Sequence, residues 1–98
     1  MRLFQSEFEF EWNLGNSGKS LKAHGVSDAE CEEVFFDPRK KLARDTLHSG
    51  KEQRFILLGT THKLRLLYLV FTIRKSRIRV ISARDINKKE KYLYEGKD

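Results

Sequence analysis

The sequence predicts an α+β fold: a largely antiparallel sheet of four to five strands, two N-terminal helices and one C-terminal helix. Three observations support this prediction. Two helix signals come early in the chain, a run of apolar strand patterns follows, and a last helix signal closes it. Helices that are separated along the chain from a run of strands are typical of α+β proteins. With 98 residues, the chain has the length of one domain, residues 1–98.

The N-terminal part predicts a half-buried strand and a short helix. Phe8, Phe10 and Trp12 alternate with glutamates, and this period of two is typical of a strand with one buried face. The helix is expected from about Ser17 to Ala23. It ends at the next two residues, His24 and a glycine that suits the left-handed C-terminal cap.

The second helix has the clearest start signal. Ser27 and Glu30 have the spacing of a capping box, in which each residue bonds the backbone N–H of the other. The helix is expected to end at about Phe36, because the residue before Pro38 avoids the helical region.

The rest of the chain is predicted to be mostly strand. Residues 39–50 are polar and basic and are expected to mix loop with a weak strand. Three apolar stretches predict strands: Arg54 to Thr60, Leu64 to Arg74 and Arg77 to Arg84. The tail from Asn87 to Glu95 is predicted to be helical, since Asn87 and Glu90 have cap spacing and Gly96 suits the stop.

Composition indicates a polyanionic partner. Twenty Lys and Arg stand against fourteen Asp and Glu, which gives a net charge of +6 and a pI of about 9.6. A small domain this basic favours RNA, DNA, an acidic protein or an anionic membrane. The alternative is a soluble surface that happens to be rich in lysine.

Cysteine use and hydropathy favour a cytoplasmic protein without a membrane partner. Cys31 is the one cysteine, so no internal disulfide forms, and the thiol is either a core group or a nucleophile. The first twelve residues lack the pattern of a signal peptide. The longest apolar stretch, Leu66 to Ile73, is too short to span a bilayer.

The last two predicted strands place several arginines together. If residues 74–77 form the turn, the opposed pairs are Arg74 with Arg77, Thr72 with Arg79, Val70 with Ile81, and Tyr68 with Ala83. One face then carries the arginines. The other face is expected to be core and carries Leu69, Phe71, Ile73, Ile78 and Val80.

Like charges that oppose each other destabilise a sheet by up to about 1 kcal/mol per pair. A bound anion would remove this cost, and the planar fork of arginine matches phosphate geometry. The alternative is a solvated edge whose arginines pair with carboxylates.

Several blocks of the chain resemble the BrnT toxin family. They span residues 8 to 95, and their order and spacing carry the resemblance: Phe10-Glu11-Trp12, His24-Gly25-Val26-Ser27, Val34-Phe35-Phe36-Asp37-Pro38, His48-Ser49 with Glu52, Arg54-Phe55 and Leu58-Gly59, Arg65-Leu66-Leu67, Thr72 with Arg74, Arg79 to Arg84, and Glu90 with Tyr94. The chain departs from the family at Asn13, Asn16, Ser20 and Ala23, where the family usually has Asp, Lys, Asn and Lys.

The resemblance implies a type II toxin–antitoxin toxin with a RelE-like fold. Such a toxin is a ribonuclease that suppresses translation by cutting RNA. A BrnA-type antitoxin would neutralise it and bind operator DNA, so that the toxin reaches DNA only through the antitoxin.

RNA can be cut without a metal when its own 2′-hydroxyl attacks the phosphate. The reaction needs a base, an acid and cations near the developing charge. The residues expected to act on the reacting atoms are His24, Glu52, Arg54, Arg79 and Arg84. Those expected to bind RNA are Lys19, Lys22, His48, Arg74 and Arg77. Those expected to bind the antitoxin are Tyr92, Leu93 and Tyr94.

Several of these roles have a structural alternative. Arg54 could be an exposed strand residue that keeps the protein soluble, and His48 could be polar surface. His24 could interact with the last carbonyls of its helix, Glu52 could order an arginine, and Arg84 could form a salt bridge. No metal or cofactor signature is present, because three scattered histidines and one cysteine do not make a zinc site. A non-catalytic nucleic-acid-binding or protein-interaction module is the competing interpretation of the whole chain.

Overall fold

In the part of the chain that the structure describes, a four-stranded antiparallel sheet packs with three helices. The computed structural model describes residues 8–47 and 50–96. The elements are α1 (Lys19–His24), α2 (Asp28–Glu33), β1 (Lys41–Arg44), β2 (Phe55–Thr60), β3 (Leu66–Arg74), β4 (Arg77–Asp85) and α3 (Lys88–Glu95). A single 3-10 turn, Val34–Phe36, continues α2. The strand order is β1-β2-β3-β4, which confirms the predicted α+β class.

Local capping sets the helix ends as the sequence predicts. Ser27 Oγ accepts the Glu30 N–H at 3.1 Å, while the Glu30 carboxylate accepts the Ser27 N–H at 2.9 Å. Asn87 and Glu90 form the same reciprocal box at the start of α3. Gly25 ends α1 with a left-handed φ of 70°, a conformation that glycine adopts without steric cost.

One face of the sheet packs against α1, α2 and the 3-10 turn to make the core. Gly59 lets β2 approach this turn, because a Cβ at position 59 would lie 3.0 Å from the Val34 carbonyl oxygen. The buried cluster combines residues of the helices and the three longer strands: Val26, Cys31, Val34, Phe35, Leu57, Leu67, Leu69, Phe71, Ile78, Val80 and Ala83.

The predicted N-terminal strand is wrong in its extent. Between residues 8 and 12, the part of this segment that the structure describes, only Phe10 forms a bridge, and it pairs in parallel with Ile78 of β4. The chain leaves the sheet edge immediately afterwards, because the Trp12 indole Nε1 donates to the Glu32 carboxylate on α2 at 2.7 Å.

The N-terminal segment nevertheless covers the edge of β4. Asn16 Nδ2 donates to the Val80 carbonyl at 3.1 Å, and Ser20 Oγ accepts the Ala83 N–H at 2.9 Å. Both side chains are buried. Asn16 and Ser20, two of the departures from the family pattern, therefore satisfy backbone groups of an edge strand that would otherwise be unpaired.

The β3–β4 register agrees with the prediction at the turn and departs from it beyond a bulge. Arg74 opposes Arg77 and Thr72 opposes Arg79, as predicted. An irregularity between Val70 and Phe71 then shifts the pairing, so that Tyr68 opposes Arg84 instead of Ala83. One extra residue in a strand reverses the side-chain alternation beyond it, which explains why the predicted pairing of Tyr68 with Ala83 is wrong.

Ile73, which was expected in the core, is 54% exposed. It lies at the end of β3, outside the part of the sheet that the two N-terminal helices cover. Leu42 of β1, on the same side of the sheet, is 59% exposed.

Candidate active site

The β3–β4 hairpin ends in a two-residue turn that carries a cation at its tip. Lys75 and Ser76 both have positive φ, 50° and 68°, as a type I′ turn requires. Asn-Gly is the usual sequence for this turn, whereas this chain has Lys75 and Ser76 there. The pairing of Arg74 with Arg77 directly below it concentrates positive charge at one end of the sheet.

Three arginines at this end each have a glutamate partner. Arg74 forms a two-bond ion pair with Glu52, in which Nη2 donates to Oε1 at 3.0 Å and Nε donates to the other oxygen. The remaining two pairs are looser, each with an N–O distance of 3.6 Å: Arg77 with Glu9, and Arg79 with Glu11. We call Arg54, Arg74, Arg77 and Arg79 the arginine cluster.

Arg79 lies at the base of the cluster and is held by the loop after Trp12. Its side chain is 13% exposed, and its Nη2 donates to Asn13 Oδ1 at 3.2 Å. Gly15 fixes this amide by donating its N–H to the same oxygen at 2.8 Å. A Cβ at position 15 would lie 2.5 Å from Arg79 Nη2, so any other residue there would make the guanidinium shift.

An open pocket lies above Arg79. Its volume is about 640 Å³, and its lining residues are Glu11, Arg74, Lys75 and Arg77. Three cations around one opening suit a phosphate group, since arginine and lysine bind phosphate oxygens through charge-assisted hydrogen bonds. Glu11 Oε1 and Arg79 Nη1 are buried without a hydrogen-bond partner, although they belong to the same ion pair.

The arginines also determine the charge state of Glu52. The hydrogen bond from Arg74 lowers the pKa of this carboxyl, and the charges of Arg74, Arg54 and Arg79 lower it further. Glu52 therefore stays ionised in mildly acidic solution and accepts a proton poorly. This geometry joins five of the sequence-predicted site residues: Glu52, Arg54, Arg74, Arg77 and Arg79.

His24 lies at the opposite end of the sheet. Its carbonyl accepts a 3.4 Å bond from Arg65 Nη2, and Arg65 also forms an ion pair with Asp85, the last residue of β4. Asp85 lies six positions after Arg79 along β4, about 20 Å at about 3.3 Å per residue. The structure therefore does not bring His24 together with the arginine cluster.

Arg84 belongs to the opposite end as well. It donates to both carboxylate oxygens of Glu90 at 2.9 and 2.7 Å and lies 4.0 Å over the ring of Tyr68. The hydrogen bond from Arg84 lowers the pKa of Glu90 despite its burial. This arrangement joins α3 to the sheet. It is the salt bridge that the sequence analysis gave as the alternative role of Arg84, but its partner, Glu90, was not expected.

The remaining RNA-binding predictions lie on α1, which packs against β4, or outside the described residues. Lys19 and Lys22 are exposed on α1. His48 lies outside the described residues. His62 is exposed and lies 3.6 Å from a carboxylate oxygen of Glu33.

The three predicted antitoxin-binding residues differ in exposure. Tyr92 and Leu93 are 49% and 61% exposed. Tyr94 instead donates its hydroxyl to the buried Asp37 carboxylate at 2.6 Å. Burial and this hydrogen bond raise the pKa of Tyr94 to about 12.

Cys31 is fully buried in the core, and burial raises the pKa of its thiol to about 12, so it is not an activated nucleophile. Within residues 8–47 and 50–96, no group of three or more His, Cys, Asp or Glu side chains is arranged to hold a metal ion. No helix in the same ranges is long and apolar enough to cross a membrane.

Sequence reasoning missed Glu11, Asn13 and Lys75. Glu11 alternates with aromatic residues, which indicated a solvent-facing position. The contact between Asn13 and Arg79 joins residues 66 positions apart, and no local pattern encodes it. Lys75 could have been found, because it lies in the two-residue turn between the predicted strands.

The fold and this site together define a small basic α+β protein with an open, arginine-lined pocket that suits phosphate. The sequence model of the family described as "Ribonuclease toxin, BrnT, of type II toxin-antitoxin system" matches residues 12–90. The chain therefore belongs to the BrnT family of ribonuclease toxins. A comparison with curated proteins finds no sequence match to the chain.

Proposed function

We propose that this chain is an endoribonuclease that binds RNA at the arginine cluster, cuts it without a metal ion and thereby inhibits translation. Family membership supports a ribonuclease acting within a toxin–antitoxin pair. The observation that carries the proposal is the open pocket between Arg74, Lys75 and Arg77, with Arg79 held beneath it. A scissile phosphate in this pocket would meet several cations at once.

In the proposed reaction, the RNA 2′-oxygen attacks the adjacent phosphorus and the 5′-oxygen leaves. The 2′-hydroxyl loses its proton to a base, and the leaving oxygen gains one from an acid. The products are a 2′,3′-cyclic phosphate and a 5′-hydroxyl. Arg74 and Arg77 bind the phosphate oxygens at the surface, while Arg79 contributes its charge from below.

The glutamates of the site would compete with RNA phosphates for the arginine side chains. Glu52 and Glu9 occupy the forks of Arg74 and Arg77, so a phosphate must displace a carboxylate before it binds. These pairs are solvent-exposed and therefore weak, since exposed ion pairs contribute at most about 1 kcal/mol. RNA, with many phosphates, can replace them and release its counterions.

Some of the remaining sequence-based roles are part of the proposal. His48, Lys19 and Lys22 are proposed to bind RNA, whereas the catalytic roles of His24 and Arg84 stay sequence-based predictions that the variants below test. A BrnA-type antitoxin in the same cytoplasm would neutralise the toxin and carry it to operator DNA. The exposure of Tyr92 and Leu93 supports their predicted place in that contact.

The test is expression of the chain alone in a bacterial host, with growth and total RNA followed over time. Purified protein is then incubated with RNA in EDTA, and the product ends are identified. We expect growth arrest, RNA loss and cyclic-phosphate ends. The variants Arg79→Ala, His24→Ala and Arg84→Ala separate the two ends of the sheet, with circular dichroism to verify folding.

Intact RNA and normal growth at verified soluble expression would contradict the proposal. Cleavage that EDTA abolishes would contradict metal independence alone. Loss of cleavage in Arg79→Ala, with the fold retained, would support the arginine cluster. Loss only in His24→Ala would move the reacting atoms to the other end of the sheet.

A second candidate function is RNA binding without cleavage. One observation favours it: among the described residues, no histidine lies in the arginine cluster, and Glu52 is a weak base there. In that case RNA would stay intact, and its affinity would still fall steeply with salt. A binding titration at several salt concentrations, beside the cleavage assay, distinguishes the two functions.

A further inference from the structure

The side of the sheet that carries the core continues into an exposed apolar groove. We define this apolar groove by Phe8, Leu42, Phe55, Phe71, Ile73 and Ile78. Two adjoining hollows form it, with volumes of about 450 and 220 Å³, and they share Leu42, Phe71 and Ile73. The groove lies between the outermost strand, β1, and the basic end of the β3–β4 hairpin.

The groove floor is built from packed aromatic rings. The Phe35 ring meets the Phe71 ring edge-on with centroids 5.1 Å apart, and the Phe55 ring stacks on Phe71 at 5.4 Å. At the rim, Phe8 and Phe36 meet at 5.3 Å and are 38% and 50% exposed. A floor that is fixed by the core while its rim is exposed is typical of a preformed docking surface.

The charge around the groove has one sign. Among the described residues that line its two hollows, the charged side chains are Lys40 and Arg44, and none is a carboxylate. An apolar partner surface with carboxylates at its margin would match both features. A second copy of this chain would match them poorly, because like cations would meet across the contact.

The groove also lies close to the proposed RNA site. Ile73 directly precedes Arg74, and Ile78 directly follows Arg77, so the groove and the arginine cluster occupy opposite faces of the same hairpin end. A protein seated in the groove therefore lies at the same end of the hairpin as the phosphate pocket, on the other face of the sheet. RNA fits the groove itself less well, because its floor is made of apolar side chains.

We infer that the apolar groove is the docking site for an amphipathic segment of the partner antitoxin. The apolar side chains of this segment fill the groove, and its carboxylates pair with Lys40 and Arg44. The inference rests on the proposed function only in taking the antitoxin as the partner. It adds a contact surface distinct from Tyr92 and Leu93 on α3.

The test uses the full chain and the purified product of the antitoxin gene adjacent to its own. Calorimetry compares the wild type with the double variant Leu42→Glu/Ile73→Glu, which places charge in the groove. The affinity is expected to fall by about 100-fold, the size of a hot-spot loss. Lys40→Glu/Arg44→Glu is expected to weaken binding at low salt more than at high salt.

One variant serves as a control and a second tests another surface. Leu64→Glu adds one such charge at a 79% exposed leucine in the β2–β3 turn, at the other end of the sheet, and should leave affinity within about threefold. Leu93→Glu tests the α3 surface separately. Thermal melting monitors folding, and Leu42→Ala/Ile73→Ala replaces the charged pair if that pair unfolds.

Unchanged affinity in a folded groove variant would overturn the inference. So would sedimentation that shows a wild-type dimer and a monomeric groove variant in the absence of antitoxin, since the occupant would then be a second copy. Calorimetry does not require RNA cleavage. A chain that binds the antitoxin through the groove but leaves RNA intact would contradict the proposed activity and support this inference.

Discussion

The two ends of the β3–β4 hairpin both carry arginines, but they use them differently. At the far end from the turn, Arg65 donates to both carboxylate oxygens of Asp85 and to the carbonyl of Gly25. At the turn end, Arg77 and Arg79 contact their glutamates only at 3.6 Å, around an open pocket. One set of arginines joins elements of the fold, while the other set surrounds a cavity.

The two sets share one residue type and differ in how fully their donor groups are occupied, which is the property that the proposed RNA site needs. Arg65 uses its whole donor fork on groups from three elements, so it has little capacity for a ligand. Arg77 has one loose, exposed partner that a stronger anion can displace. The predictions below test this comparison in order of expected effect.

The largest effect is expected for Arg79→Ala. Removing a preorganised cation from a reaction centre slows catalysis by about 10²–10³-fold in other enzymes. We expect a loss of that size in RNA cleavage by purified protein, with a single cooperative thermal transition retained. Arg84→Ala is the comparison. If it abolishes cleavage equally in a folded protein, both ends act on RNA and the comparison fails.

Arg65→Ala should show the opposite pattern. The substitution removes hydrogen bonds to Asp85, Glu30 and the end of α1, several of them to charged groups. We expect the free energy of unfolding to fall by about 2 kcal/mol, measured by urea denaturation, while cleavage at saturating RNA stays within about twofold. A stable protein with lost cleavage would assign Arg65 to the site instead.

Tyr94→Phe tests the far end through its pH dependence. Burial raises the pKa of Asp37, but the hydrogen bonds from Tyr94 and from two backbone N–H groups lower it further, so the net shift is downward. A carboxyl whose pKa is lower in the folded than in the unfolded protein stabilises the fold at pH values above the unfolded-state pKa. This stability is lost as the pH falls through the folded-state pKa. The raised pKa of Tyr94, about 12, stabilises the fold up to about pH 10, and this stability is lost at higher pH.

The variant should therefore be less stable by about 1.5 kcal/mol between about pH 4 and pH 10, since the lost hydrogen bond goes to a charged acceptor. The difference from wild type should shrink outside this range. Urea denaturation across pH measures it, and a difference that does not depend on pH would contradict the assigned hydrogen bond.

The smallest effect is expected for Gly15→Ala, which moves Arg79 without removing it. The added Cβ would lie 2.5 Å from Arg79 Nη2, so the guanidinium must shift. We expect cleavage to fall by about tenfold, because small displacements of catalytic groups are costly. Gly50→Ala is the matched control, since a Cβ there meets nothing within 4 Å. Equal rates in the two variants would show that the position of Arg79 does not matter.

The parts of the fold that the sequence predicted are those fixed by local interactions. The capping boxes of α2 and α3 depend on residues three apart, and the hairpin turn depends on four consecutive residues. Arg74, Arg77 and Arg79 come together because the turn was placed correctly, whereas Glu52 and Arg54 reach them because β2, which they precede, pairs with β3. The roles of His24 and Arg84 remain predictions.

The missed features depend on contacts between distant parts of the chain. The irregularity between Val70 and Phe71 lies away from the turn, and it places Arg84 opposite Tyr68. The position of Arg79 depends on its hydrogen bond to Asn13, which lies 66 residues earlier in the sequence. The exposure of Ile73 depends on how far two short helices reach across the sheet. Periodicity carries no information about any of these.

The N-terminal segment that covers β4 has a consequence for how the protein tolerates truncation. The family match begins at residue 12, yet the Glu9 carbonyl and the Glu11 N–H pair with Ile78 before that point. A fragment that starts at residue 12 would lose these two bonds and leave Ile78 at an unpaired edge beside exposed apolar side chains. Such edges recruit strands from other molecules. We therefore expect the fragment to aggregate, so the minimal folding unit is longer than the region that the family shares.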